Sequence, residues 1–325
     1  MQSVWVSDEL LPEFEVQQAV RIETRDVARA AFTGAYDRAE RWQEEKVPPA
    51  PEYGRRIEDS TATLVSELTE QDDVLLNLSF IRSWDDYTFE HSVQVAILSV
   101  LIGKHLGLDE DSLHRLGVGA MLHDIGKAMV PREILRKPGR LTDEEYEIMR
   151  QHPQLGWEFL HEGFPQIMPT SSVVALQHHE RNDGSGYPFG RQGHEIYLFS
   201  QIVAAADVFD AVRAQRVYRS DYSPQQVHEI MRKEAGVRLH ASAVEILLRR
   251  VALVPQGSIV QLSNGHYGMA VALRRDAVLQ PIVRVVADET GHPLDRRDVD
   301  LQEENLTVAR LLDGWPKEVL ALARA

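Results

Sequence analysis

No cysteine occurs among the 325 residues, which removes disulfides, thiolate nucleophiles and cysteine-ligated zinc from consideration. Positive charge is also short: 35 Lys and Arg stand against 50 Asp and Glu, a formal net charge of −15. A surface of that sign has no general affinity for nucleic-acid polymers, whose non-specific binding rests on neutralising phosphates. Long apolar runs are missing too. A membrane-spanning helix needs roughly 18 apolar residues, and the longest run here, Val93–Gly103, is interrupted by Gln94 and Ser99. The start, Met1-Gln-Ser-Val-Trp-Val-Ser-Asp-Glu9, places no basic segment ahead of an apolar one, so no secretory signal is expected. These absences point to the cytoplasm, with neither a nucleic-acid polymer nor a membrane as partner. An anionic substrate would have to be drawn in locally, by metal ions or a few placed arginines.

What is present is an ordinary globular composition, 43% hydrophobic and 26% charged, in a chain long enough for one main domain with appendages. Residues 14–46 read as polar and helical, with Val20, Val27, Ala31 and Ala35 roughly on one face. Val47-Pro-Pro-Ala-Pro-Glu52 reads as a linker, since consecutive prolines stop helices. A second helix is expected from Ser60, with Leu64, Leu68, Leu75 and Leu78 as its apolar stripe. From about residue 88 to 252 the pattern is helical with short breaks: His91–Leu106, Ser112–His123, a helix opened by the capping box Thr142-Asp-Glu-Glu145, one capped by Thr170 or Ser171, and a long one over Ile196–Val217. Asp183-Gly-Ser-Gly-Tyr-Pro188 breaks the last two apart. After Pro255, Ser258–Ser263 and Tyr267–Leu273 alternate like strands around Asn264-Gly265, a hairpin signal, and Pro281–Ala287 is a third candidate strand. The expected architecture is mainly α. An N-terminal helical segment and linker (1–58) precedes a helical catalytic domain (59–252) and a small β-rich module with a helical tail (253–325).

Thirteen histidines is many for this length. Five sit in telling contexts: His91, His123 followed by Asp124, His152, and the tandem His178-His179. The other eight, His105, His114, His161, His194, His228, His240, His266 and His292, read as ordinary surface or core residues. Imidazole and carboxylate together suit iron, manganese, zinc or nickel better than calcium or magnesium alone. On a helix His123 and Asp124 point about 100° apart; one metal can take both, or the carboxylate can bridge two ions while the imidazole holds one. Each donor lies on a different expected helix, as when a bundle focuses side chains on a central site.

His123-Asp-Ile-Gly-Lys127 resembles the signature of the HD phosphohydrolase superfamily, and His178-His-Glu-Arg-Asn-Asp-Gly-Ser-Gly-Tyr-Pro188 resembles that of its HD-GYP subfamily. The likeness runs from about Tyr87 to Leu248. It takes in Tyr87-Thr-Phe-Glu-His91-Ser, Pro131-Arg-Glu-Ile-Leu, Lys137-Pro-Gly-Arg-Leu, His152-Pro, and Ala206-Asp-Val-Phe-Asp-Ala211 followed by Arg216-Val-Tyr-Arg219. It implies an HD-type helical bundle in which His91, His123, Asp124, His152, His178, His179 and Asp207 bind two divalent metal ions, iron or manganese foremost, with Asp124 bridging. Two ions about 3.5–4 Å apart can hold a hydroxide and clamp a phosphodiester for in-line attack. The resemblance further implies that Lys127 contacts the scissile phosphate and, with Asp124, serves catalysis. It assigns Arg216, Arg219 and Asp210 to the substrate, and lets Asp183, Gly184, Gly186 and Tyr187 shape the pocket mouth, Tyr187 by packing on a base. Arg213, in the same three-residue period, reads as an exposed position.

Two positions depart from the family pattern. Tyr87 stands where some members carry a glutamate for a third ion, while Asp86 and Glu90 point elsewhere; and Gly236 leads to Leu239-His-Ala241 in place of a Phe-Asp-Pro stretch. The activity implied is hydrolysis of cyclic di-GMP to linear pGpG and onward to GMP. The alternatives are hydrolysis of cyclic GMP-AMP, or a weakly catalytic sensor or scaffold. The N-terminal helices are candidates for a homodimer contact, and cyclic di-GMP synthases are candidate partners.

Overall fold

The computed structural model describes residues 2–6, 14–45, 48–70, 87–218, 223–274, 277–312, 314–317 and 319. An antiparallel pair, β1 (Gln2–Val6) and β2 (Phe14–Gln18), is followed by helices α1 (Ile22–Glu45), α2 (Pro51–Thr69), α3 (Tyr87–His105), α4 (Glu110–Met121), α5 (Arg132–Leu135), α6 (Asp143–Met149), α7 (His152–Gly163), α8 (Pro169–Gln177), α9 (Leu198–Tyr218), α10 (Pro224–Glu234) and α11 (Ala241–Arg250). Strands β3 (Ile259–Leu262), β4 (Tyr267–Ala272), β5 (Ile282–Ala287), β6 (Pro293–Asp300) and β7 (Val308–Leu312) complete the chain.

Helix α3 is buried without interruption from His91 to Gly103, and α9 from Ile202 to Ala206. A helix apolar on all sides belongs in the middle of a bundle, and these two pack on each other there. Amphipathic helices surround them. Asp109 caps α4 by accepting from the Ser112 amide at 2.8 Å. The capping box expected at α6 is formed: Thr142 Oγ1 accepts from the Glu145 amide, and the Glu145 carboxylate accepts from the Thr142 amide at 2.7 Å. Neither Thr170 nor Ser171 caps α8. That helix opens one residue earlier, at Pro169, whose fixed φ suits the first helical position, and Ser171 instead donates to the Arg115 carbonyl at 2.8 Å.

The N-terminal helices share the main core. Phe32, Ala35, Ala39 and Trp42 of α1 and Ile57, Leu64 and Val65 of α2 join the same buried cluster as α3, α4 and α9. The Pro-rich stretch holds the first turn of α2, because Pro51 again takes an opening position, so α2 runs unbroken through the boundary expected at residues 58–59. Residues Phe14–Gln18, expected to be helical, form a strand. Leu75 and Leu78 lie outside the described residues.

The C-terminal strands form one antiparallel sheet in the order β6-β5-β4-β3-β7. The Asn264-Gly265 turn joins β3 to β4 as expected, with Gly265 at φ 89°. Two strands escaped the sequence reading. In β6, Pro293–Asp298 are all exposed, so no alternation marks them, and β7 is recruited by pairing with β3 across the whole of β4, β5 and β6, Leu262 with Val308. Leu253 and Leu279 pack on the helical core, which seats the sheet against the bundle. The expected helical tail lies largely outside the described residues.

Candidate metal centre

The centre of the bundle gathers donors from five elements. His91 comes from α3, His123 and Asp124 from the turn closing α4, His152 from the first residue of α7, His178 and His179 from the end of α8, and Asp207 from α9. They fall into two groups. Asp124, His152, His178 and His179 offer ligand atoms within 4.8 Å of one another, and so do His91, His123 and Asp207.

Asp124 stands between the groups. Its Oδ1 lies 3.3 Å from His152 Nε2 and 3.5 Å from His178 Nε2, and its Oδ2 lies 3.3 Å from His123 Nε2 and 3.8 Å from His91 Nε2. Each of these four imidazoles uses its other nitrogen elsewhere. His123 Nδ1 meets the Ala120 carbonyl at 2.7 Å, His152 Nδ1 the Met149 carbonyl at 2.7 Å, His178 Nδ1 the Ala175 carbonyl at 2.9 Å, and His91 Nδ1 the Asp210 carboxylate at 2.8 Å. A carbonyl only accepts, so in His123, His152 and His178 Nδ1 carries the proton and the Nε2 lone pair faces the centre, whereas His91 meets a carboxylate at both nitrogens, Asp210 at Nδ1 and Asp207 at Nε2, 3.2 Å away. His152 Nε2 and His178 Nε2 then confront each other as acceptors 3.3 Å apart. Among the described residues, His123 Nε2 and Asp124 Oδ1 are buried without any hydrogen-bond partner. Inward lone pairs, backbone-anchored Nδ1 atoms and unpartnered buried acceptors are what a divalent cation satisfies.

The titration of His178 and His179 agrees. Burial pushes His178 down to about 4 and His179 well below the usual range, so both are neutral donors at pH 7. Burial acts on His91 in the same direction, but its bonds to Asp207 and Asp210 override it and push the imidazole up to about 10, so that His91 is protonated at pH 7 and would have to give up its Nε2 proton to ligate. Burial likewise opposes ionisation of Asp124, yet Lys127 and the facing histidines hold its carboxylate well below the usual range. Lys127, in a 3-10 turn over Ile125–Met129, donates to Asp124 Oδ2 at 2.5 Å.

This turn reaches the site because of Gly126. A Cβ there would sit 1.9 Å from the His152 carbonyl oxygen and 2.6 Å from the Gly156 amide, so only glycine lets the His123–Lys127 segment lie flat on the start of α7.

Several expected contacts find other places. Asp210 was grouped with the substrate contacts, but it is fully buried, with one oxygen on His91 and the other accepting from Arg213 at 3.0 Å. Arg213, expected to be exposed, is 2% exposed for this reason: its three-residue spacing from Asp210 turns it inward on α9 to neutralise a buried carboxylate. Asp183 is occupied within its own loop, accepting from the Ser185 amide and hydroxyl at 2.9 and 2.6 Å. Gly184 turns that loop at φ 79°. Tyr187 stacks on the His179 imidazole, with ring centroids 4.6 Å apart. Arg219 lies outside the described residues, and of Arg216 and Tyr87 only the helical backbone is described. Glu180 was not foreseen. It is 1% exposed and accepts from the Phe189 and Arg191 amides, both at 2.9 Å, so it pins the far side of the glycine-rich loop. Its sequence signal was a carboxylate directly after the tandem histidines.

Residues 76–242 match the HD domain family. The chain belongs to that family. Beyond the HD domain, residues 259–316 match a KOW domain associated with HD domains, which covers the C-terminal sheet. A cyclic di-GMP phosphodiesterase of Pseudomonas aeruginosa is 33% identical over 254 residues, 76% of this chain and 61% of that protein. A 3'3'-cGAMP-specific phosphodiesterase of Vibrio cholerae is 39% identical over 191 residues, 58% of this chain and 43% of that protein. This HD domain chain thus spans less than two thirds of the length of either relative. Among solved structures, an HDG"Y"P protein from Bdellovibrio bacteriovorus superposes with a TM-score of 0.54 at 16% identity, covering 69% of each chain, and so shares the fold. Among the described residues, no helix is long and apolar enough to cross a membrane.

Proposed function

We propose that this HD domain protein is a metal-dependent phosphodiesterase that hydrolyses cyclic di-GMP to linear pGpG and onward to GMP. One observation carries the reading: Asp124 presents one oxygen to each of two donor groups, with the Nε2 lone pairs of His123, His152 and His178 facing it. His152, His178 and His179 would hold one divalent ion and His91, His123 and Asp207 the other, with Asp124 shared; iron or manganese suits the donors best. With the ions in place, the chemistry supplied is Lewis-acid, the acidification of water and the offset of phosphate charge. Lys127, anchored on Asp124, brings a cation to the edge of the centre, where it would neutralise charge building on the phosphate. In that reaction water's oxygen would join phosphorus, one P–O ester bond would break, and a proton from water would pass to the released sugar oxygen, so that the ring opens. Arg216 and Arg219 follow Asp207 along the chain and would supply the remaining positive charge.

The Vibrio cholerae relative favours a second substrate, 3'3'-cGAMP, which carries the same phosphodiester beside a different base. Turnover of both cyclic dinucleotides by anaerobically prepared protein, with metal content measured on the same sample, tests the reading. Metal-loaded protein that opens neither ring contradicts catalysis and leaves a binding role.

A further inference from the structure

His179 differs from the four histidines that face Asp124. Each of those is locked by a hydrogen bond from Nδ1, whereas among the described residues the His179 ring makes none. What it makes are ring contacts. The adjacent His178 ring lies tilted to it at 4.1 Å and 43°, the His152 ring meets it edge-on at 4.9 Å and 89°, and the Tyr187 ring lies nearly parallel to it, at 4.6 Å and 24°. The Arg150 guanidinium in turn lies over the Tyr187 ring, 5.0 Å from its centroid, and is itself held by Glu147 at 2.8 Å.

The loop carrying Tyr187 is fixed around this contact. The Tyr187 amide donates to the His179 carbonyl at 3.1 Å. Gly186 makes that approach possible, since a Cβ there would lie 2.5 Å from the same carbonyl oxygen and 2.4 Å from the Arg181 amide nitrogen. Two residues further on, Glu180 grips the Phe189 and Arg191 amides. The tyrosine is therefore pinned on both sides, with its ring over the one histidine of the cluster whose ring makes no hydrogen bond among the described residues. Among the described residues its hydroxyl bonds to nothing.

We infer that Tyr187 is a positioning residue, whose ring sets the orientation of the His179 imidazole as a metal donor. The task that a carbonyl or carboxylate performs for the other histidines falls here to an aromatic face, steadied by Arg150. A stacked ring restricts imidazole rotation without taking either nitrogen, and the hydrogen-bonded orienting partners whose place it takes are worth about 10–100-fold in metal affinity. The inference rests on the reading of the cluster as a two-ion centre.

The experiment is manganese(II) binding to the full chain, by calorimetric titration and by metal content after dialysis. It compares wild type with Tyr187→Phe, Tyr187→Leu and Tyr187→Met, the last keeping side-chain bulk if the leucine variant fails to fold. Wild type and Tyr187→Phe are expected to bind two ions alike. The aliphatic variants should bind the first normally and the second about 10–100-fold more weakly, with kcat recovered by excess manganese. Aliphatic variants that bind two ions with wild-type affinity and only raise KM overturn the inference, and make the ring a platform for substrate. A wild-type chain that binds fewer than two ions overturns the two-ion reading itself.

Discussion

Four imidazole nitrogens converge on Asp124, and each has its other nitrogen tied down, so the arrangement tolerates few changes at single residues. Asp124→Ala removes the oxygen shared by both groups. Both ions should be lost and hydrolysis should fall to background, checked by metal content and turnover; near-normal turnover would mean that Asp124 bridges nothing. Asp210 makes a finer test because it touches no ion in this reading. Asp210→Asn keeps its shape but weakens its hold on His91, and should cost about 10–100-fold in metal affinity with KM little changed at saturating metal. A rise in KM with metal affinity intact would return Asp210 to the substrate contacts.

At the scale of elements, the site depends on how closely the 3-10 turn lies on α7. Gly126→Ala places a methyl group 1.9 Å from the His152 carbonyl oxygen, an overlap that backbone cannot relieve by a rotamer change. Overpacking of this sort costs about 1–3 kcal/mol or more. Since the atoms that must move belong to His152, the variant should lose metal affinity along with thermal stability. A Gly126→Ala protein with wild-type melting and metal binding would show that the turn and α7 can part freely. The α1–α3 contact reaches the site by another route: Arg25 and Arg29 of α1 lie 3.5 and 3.8 Å from Glu90, the residue before His91. The N-terminal helices thereby brace the helix that delivers the first donor.

For the molecule as a whole, five polar residues at the centre, His91, His123, Asp124, His152 and His178, are each at most 5% exposed. Burying such groups is costly unless they are paired. Ions that bind only the folded chain stabilise it by mass action, about 2.7 kcal/mol per site at 100 times the dissociation constant. Chelation should therefore lower Tm and added manganese restore it, measured by calorimetry. A Tm indifferent to both would mean that the cluster is stable without ions.

How far the sequence spoke for this protein differs from residue to residue. Much of the candidate cluster was legible because metal chemistry restricts residue type, so His123-Asp124, His152 and His178-His179 stood out against an ordinary composition, while Asp207 was reached only through the family resemblance. The helices that carry them were legible because burial writes a period into the chain, and the Thr142–Glu145 capping box because its two bonds lie within four residues. Arg213 was misplaced, and the buried pair it makes with Asp210 went unread, for the opposite reason. Their spacing fits a solvated helix face as well as a buried ion pair, and only the packing of α3 against α9 turns them inward. Residues 14–18, and strands β6 and β7, were missed because pairing partners distant in the chain, not local periodicity, make them strands. Only the fold could bring the two oxygens of Asp124 to histidines from α3, α4, α7 and α8, and lay Tyr187 against His179. Sequence names the groups able to ligate, but distance and orientation between separate helices arise from side-chain packing, which no stretch of chain carries by itself.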